Sequence, residues 1–272
     1  MIRVIFNQKG GVGKSSITSN LAAISADYGF RTLAVDLDVQ CNTTQYLLGE
    51  AAADARVSIA DFFADSIALG RGRREPTDFV TASPYENLDV IAASPDLGDL
   101  QHKLESKHKI YKLRDALAKL AKHYEAIYID TPPAFNFYTL SALIGADSCL
   151  IPFDCDDFAR NSLYRLLENI EEVREDHNPR LRVEGIIVNQ FQSAANFPAE
   201  IVQELRDDDM PVLKSILSSS VIMRESHHAA VPLVYFAPSH KLTQEYLDLF
   251  EEINASFLEF DERRAGRVEE IA

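Results

Sequence analysis

Short runs of β-branched and apolar residues recur along the chain, separated by stretches in which apolar positions repeat every three or four residues. The runs are Ile2 to Phe6, Thr32 to Val35, Leu88 to Ala92, Ala126 to Ile129, Ser148 to Pro152, Val183 to Val188 and Val231 to Phe236. Each has the length and apolar character of a strand covered on both faces. Between them, Leu163, Leu166, Leu167 and Ile170 share one helical face, as do Leu242, Tyr246, Leu247 and Phe250. Strands alternating with helices predict an α/β fold: one doubly wound, mostly parallel sheet with helices on both faces. A single domain over residues 1–272 is expected, with a C-terminal helix over about 241–260 and a charged tail over 261–272. Leu69 to Pro76, reading LGRGRREP, breaks the pattern with glycine and arginine and is expected to be a mobile insert.

Charge and cysteine usage narrow the class. The chain carries 27 Lys+Arg against 42 Asp+Glu, a net charge of −15, so its mean field repels nucleic acid and anionic lipid. Contact with either has to be local. Cys41, Cys149 and Cys155 form neither an even disulfide set nor a CxxC pair, as expected in a reducing compartment, and read as structural. The N-terminal apolar run is too short for a signal peptide, and no stretch approaches the ~20 apolar residues of a membrane span. A soluble, cytoplasmic protein is expected.

The first strand runs into Gln8-Lys9-Gly10-Gly11-Val12-Gly13-Lys14-Ser15-Ser16, and a helical pattern follows through Leu21 and Ile24. Strand, glycine-rich loop and helix in that order make a phosphate loop. Glycines let backbone N–H groups turn inward on phosphates, and the helix directs its positive end at the same anion. Lys14 is the expected ligand of the β- and γ-phosphates. The Ser15 hydroxyl is placed to ligate Mg²⁺, so ATP and Mg²⁺ are expected to arrive together. Gly10, Gly11, Val12, Gly13 and Ser16 complete the candidate cradle.

KGGVGKS is narrower than the general phosphate-loop pattern because a second lysine, Lys9, opens it; it resembles the deviant Walker A motif of the ParA/MinD family. The resemblance implies that Lys9 reaches across a dimer interface to the partner's nucleotide. Asp36-Leu37-Asp38-Val39-Gln40-Cys41-Asn42-Thr43-Thr44 resembles the family's first switch segment, with Val39 where proline is usual and Cys41 where glycine is frequent. By that resemblance Asp38 orients the attacking water and Asp36 lies nearer the Mg²⁺ shell. Asp130-Thr131-Pro132-Pro133 resembles the family's Walker B and second switch, making Asp130 a Mg²⁺ ligand through water. Asn189, after Ile187-Val188, sits where an amide reads adenine, and Asp156 is implied to touch the nucleotide or the dimer partner. The resemblance covers nearly the whole chain.

That family implies a homodimer with ATP, a surface for the dimer to bind, and a partner that triggers hydrolysis. In the ParA branch the surface is non-specific DNA and the partner a ParB-like centromere-binding protein or an adaptor. Family arginines are missing near Ala194 and Ile222, where only Arg224 remains. Two stretches offer other cations: Gln101 to Glu125, with Lys103, Lys107, Lys109, Lys112, Arg114, Lys119 and Lys122, and the loop with Arg71, Arg73 and Arg74. A MinD-like membrane switch would need a basic amphipathic C-terminal helix, but the tail FLEFDERRAGRVEEIA carries acids against it. An iron–sulfur reductase of the nitrogenase iron-protein type would need cysteines in glycine-rich contexts, which Cys149 and Cys155 lack. An ATP-dependent amide ligase would need an added synthetase or glutaminase domain, and none is evident.

Overall fold

The computed structural model describes residues 1–68, 74–155, 159–191 and 196–269. Eight strands form one sheet: β1 (Ile2–Ile5), β2 (Thr32–Asp36), β3 (Thr81–Ala82), β4 (Leu88–Ile91), β5 (Ala126–Asp130), β6 (Ser148–Asp154), β7 (Arg182–Phe191) and β8 (Val212–Ser218). Their order is β3-β4-β2-β5-β1-β6-β7-β8. All neighbours pair in parallel except the two-residue edge strand β3, which runs antiparallel to β4. The expected doubly wound fold is therefore present.

Eleven described helices connect the strands: α1 (Lys14–Asp27), α2 (Asn42–Leu48), α3 (Ile59–Ile67), α4 (Leu97–Ser106), α5 (Lys112–Leu120), α6 (Phe137–Gly145), α7 (Ala159–Asp176), α8 (Asn196–Asp207), α9 (Val221–Ala229), α10 (Leu233–Phe236) and α11 (Lys241–Glu269). Alternation along each strand divides the core between the two sheet faces. Ile2, Val4 and Phe6 join Phe63, Leu104, Leu117, Leu143 and Leu166 on one face, which α3 to α8 cover. Ile5, Ala34 and Tyr128 join Leu21, Leu47, Leu233, Tyr246 and Phe250 on the other, under α1, α2, α10 and α11. The two predicted helical stripes thus lie on opposite sides of the sheet.

Two expectations change. The run Val231 to Phe236 is not a strand: Pro232 caps a single helical turn, Leu233–Phe236, entered from Ala230 in the left-handed region at φ 50°. The last strand is instead Val212–Ser218, a half-buried edge with weaker apolar patterning. Helix α11 also continues to Glu269, beyond the expected end near residue 260. The expected insert falls mainly on 69–73, outside the described residues.

The strand order reverses around β1, with β5 on one side and β6 on the other. In a parallel sheet such a reversal opens a crevice at the carboxyl ends of the strands, where the connections part to opposite faces. The sequence places its phosphate loop and its strand-end carboxylates there.

Candidate nucleotide and metal site

The loop after β1 is held from several sides. Asn7 donates its amide to the Pro152 carbonyl at 2.7 Å and accepts from the Lys9 N–H at 2.9 Å. Gly11 and Gly13 adopt φ of 77° and 88°, a left-handed conformation that glycine reaches without a Cβ penalty. A Cβ on Gly13 would also come within 2.2 Å of the Asn189 amide nitrogen. Asn189 donates that amide to the Val12 carbonyl at 2.9 Å, and Gln190 donates to the Gly11 carbonyl at 2.7 Å. Two consecutive amides at the end of β7 therefore clamp two consecutive carbonyls of the loop.

Lys14 opens α1 and is 6% exposed. Its ammonium donates to the Lys9 carbonyl at 3.0 Å, folded back along the loop. Burial holds it below the usual lysine range, while Asp130 and Asp38 pull the other way. Lys9 is turned toward its own chain: its Nζ lies 3.4 Å from Asp154 Oδ2, with both side chains about one-third exposed.

Asp36 and Asp130 end neighbouring strands and are register partners. Neither has solvent exposure. Burial, and then the charge of Asp130, raises the Asp36 carboxyl well above the usual range, against hydrogen bonds from Thr44 and Asp38. Burial raises Asp130 too, against the pull of the nearby Ser15 and Thr43 hydroxyls, of which Thr43 makes a hydrogen bond. Their bonding differs. Asp36 Oδ2 accepts from the Thr44 N–H and hydroxyl, both at 2.8 Å, and its Oδ1 accepts from the Asp38 N–H at 3.0 Å. Asp36, expected near the Mg²⁺ shell, thus has both oxygens engaged within the chain. Asp130 Oδ2 accepts from Thr43 at 2.8 Å, but among the described residues its buried Oδ1 has no hydrogen-bond partner. Asp38 lies close by, 6% exposed, accepting from the Gln40 N–H at 3.0 Å.

A buried carboxylate oxygen without a partner is costly unless a cation completes it. Here the carboxylate lies near Lys14 and the Ser15 hydroxyl, where the phosphate loop passes into α1. The donor set is all oxygen, the type that Mg²⁺ prefers. The residues therefore fit magnesium and a polyphosphate. Beside them opens a cavity of about 420 Å³, lined by Gly13, Ser16, Asn189, Ser218, Arg224 and Tyr246.

Several contributors had no signal in the motifs. His227 Nε2 lies 2.9 Å from Ser16 Oγ, and its ring stacks on Tyr46 with centroids 4.2 Å apart and planes at 10°. The Tyr46 hydroxyl in turn meets Ser226 and the Asn20 amide. Thus α1, α2 and α9 are joined behind the loop by polar contacts no spacing rule foresees. Asp156 lies outside the described residues, as do Arg71 and Arg73. Three of the candidate basic residues are ion-paired: Arg74 with Asp65, Arg114 with Asp115 and Lys119 with Glu75.

The AAA domain family model matches residues 1–183. Over 260 residues the chain is 32% identical to the sporulation initiation inhibitor protein Soj of Bacillus subtilis, covering 94% of this chain and 98% of that one. The chain belongs to the AAA domain family, as a P-loop ATPase of ParA/Soj type. The chromosome partitioning protein ParA of Myxococcus xanthus is 34% identical over 251 residues, covering 92% and 86% of the two chains. Among solved structures, cobyrinic acid a,c-diamide synthase of Mycobacterium smegmatis with a bound ATP analogue and magnesium shares the fold, with a TM-score of 0.78, 24% identity and 92% coverage of both chains. The AAA domain match, residues 1–183, spans the phosphate loop and both strand-end carboxylates.

Proposed function

We propose that this chain binds Mg·ATP at the carboxyl end of the sheet and uses its hydrolysis to time the assembly and release of a homodimer that partitions DNA or positions another cargo. The observation that carries the reading is the buried Asp130 Oδ1 without a partner, beside Lys14 and Ser15. The names of the related proteins, chromosome partitioning ParA and Soj, support the biological setting.

ATP with Mg²⁺ supplies a γ-phosphoryl group that water can accept. The N–H groups from Gly10 to Ser16 turn toward the phosphates, and Lys14 exchanges the Lys9 carbonyl for the β- and γ-phosphate oxygens. The Ser15 hydroxyl and the Asp130 carboxylate would hold the metal, which would offset the charge of the phosphates. Asp36, with its oxygens occupied, acts as a strut that fixes the Asp38 backbone, and Asp38 orients the attacking water in line with the leaving oxygen. Asn189 keeps its amide nitrogen on the loop and offers its oxygen to the adenine amino group. Asp156, outside the described residues, keeps the contact to nucleotide or partner that the resemblance implies.

Lys9 completes the partner's site once its contact with Asp154 gives way to the partner's phosphates. That contact is partly solvated and, as an ion pair, worth little. The dimer then presents a surface to non-specific DNA, and a ParB-like protein or adaptor stimulates hydrolysis. Among the described residues no helix is long and apolar enough to cross a membrane.

Light scattering with ADP, with a non-hydrolysable ATP analogue, and with the analogue plus duplex DNA tests this reading. The mass should double with the analogue, rise again with DNA at low salt, and stay that of one subunit in Lys9→Ala. A wild-type mass unchanged by the analogue rejects the dimer switch.

A further inference from the structure

We propose that Thr43, a residue of the first switch helix, is a positioning residue for magnesium: it fixes Asp130 in the one orientation that leaves Oδ1 open to the metal's water shell. The inference rests on the Mg·ATP reading above and adds to it a residue that neither the phosphate loop nor the strand-end carboxylates supply.

Thr43 is fully buried. Its hydroxyl lies 2.8 Å from Asp130 Oδ2 and 3.5 Å from the Ser15 carbonyl, while the Ser19 hydroxyl approaches it at 3.4 Å. A threonine hydroxyl has one proton to donate. The short contact takes it, so the hydroxyl donates to Asp130 and accepts from Ser19. A carboxylate turns about its last torsion with little resistance. Anchored through Oδ2, Asp130 cannot turn Oδ1 away from the loop.

The neighbouring residue shows the contrast. Thr44 binds Asp36 through both its N–H and its hydroxyl, and the Asp38 N–H closes the remaining oxygen. Its hydroxyl also accepts from the Ala93 N–H at 2.8 Å, which ties the pair to the end of β4. Two consecutive threonines thus hold two carboxylates that are register partners on adjacent strands. One carboxylate is closed and the other is left with a single open oxygen. Because Thr43 and Thr44 belong to the segment that begins at Asp38, a displacement of that segment releases Asp130 as well. The metal's second coordination shell is in this way part of the first switch.

Partners that orient a metal-side group through hydrogen bonds typically set metal affinity by about 10- to 100-fold. The test is binding of a fluorescent ATP analogue to wild type, Thr43→Val and Thr43→Ser, with Mg²⁺ titrated in and, separately, with EDTA. Thr43→Val keeps the shape and removes the hydroxyl; it should weaken Mg²⁺ binding about 10- to 100-fold while leaving nucleotide affinity in EDTA unchanged. Thr43→Ser should restore the wild-type Mg²⁺ dependence. An unchanged Mg²⁺ dependence in Thr43→Val overturns the proposal. So does an equal loss of nucleotide binding in EDTA, or a serine variant as impaired as the valine. If wild type binds the nucleotide with no response to Mg²⁺, the underlying Mg·ATP reading fails and the proposal falls with it.

Discussion

Arg3 and Asp130 are both charged, both buried, and both on central strands of the same sheet, yet their surroundings are opposite. Arg3, toward the amino end of β1, uses all five donors: Glu184 takes two at 2.9 Å, and Asn254, Tyr128 and the Ile253 carbonyl take the rest. Glu184 also accepts from Ser148, and Arg3 holds its carboxyl below the usual range despite the upward push of burial. At the carboxyl end, Asp130 keeps an oxygen with no partner among the described residues, and burial beside Asp36 raises both carboxyls. A closed network ties α11 to the sheet and needs nothing more. An open one is tolerated only where a ligand completes it, so the two clusters distinguish structure from site more sharply than burial or charge does.

The largest effect should follow from breaking the closed cluster. Arg3→Ala leaves the largely buried Glu184 with only the Ser148 hydroxyl and the exposed Arg182 at 3.9 Å, and should cost about 3–5 kcal/mol in urea denaturation. Exchanging both partners together, Arg3→Met with Glu184→Leu, should cost much less, since no charge is stranded. A double variant as damaged as the single one would mean that packing, rather than the uncompensated charge, dominates there.

The next effect separates the clusters by pH. Asp36 and Asp130 have raised carboxyls in the fold, so their contribution is present below the unfolded carboxylate pKa and is lost as pH rises through the higher folded values. Without nucleotide, wild type should lose several kcal/mol from this pair as pH rises from about 4 to about 7. Asp130→Asn should remove its own share of that slope and the part of Asp36's share that comes from the Asp130 charge. Glu184 is depressed, so its contribution is present above the unfolded pKa and fades as pH falls through the folded value. Chemical denaturation from about pH 3 to about pH 8 checks both signs; a slope above about pH 4 that is unchanged in Asp130→Asn would assign it elsewhere.

The smallest effect concerns the switch loop itself. Cys41 sits at φ 56° just before α2, a left-handed conformation that costs a residue with a Cβ about 1–2 kcal/mol. Cys41→Gly relieves that strain but loosens the unfolded chain by about 0.4–1 kcal/mol, so a net gain of roughly 0.5 kcal/mol is expected. A loss of stability would show that the thiol's packing outweighs the backbone strain.

Much of the site was legible because its chemistry is local in sequence. Lys9, Lys14 and Ser15 occupy one loop, and Asp36, Asp38 and Asp130 mark strand ends, so order along the chain reported their meeting place. The contacts that decide which oxygen stays open were not legible: Thr43 meets Asp130 across 87 positions, and Ser16 meets His227 across 211. The fold was read well at its centre and poorly at its edge. Interior strands are buried and mostly apolar, whereas Val212–Ser218 is half-covered and broken by Lys214, and Val231 to Phe236 resembles a strand until Pro232 starts a helical turn. Arg3 itself gave a signal that motif reading passes over, a lone cation inside the apolar strand Ile2–Ile5.

Thermal unfolding of wild type and Asp130→Asn at about pH 8, each with and without Mg·ATP, tests most directly whether the open cluster is a site awaiting its ligand. Without nucleotide the variant should melt higher, because it no longer holds a buried charge; with Mg·ATP the order should reverse, because only wild type gains the metal. A variant that melts below wild type in the absence of nucleotide, or a wild type whose midpoint Mg·ATP does not move, would contradict the account.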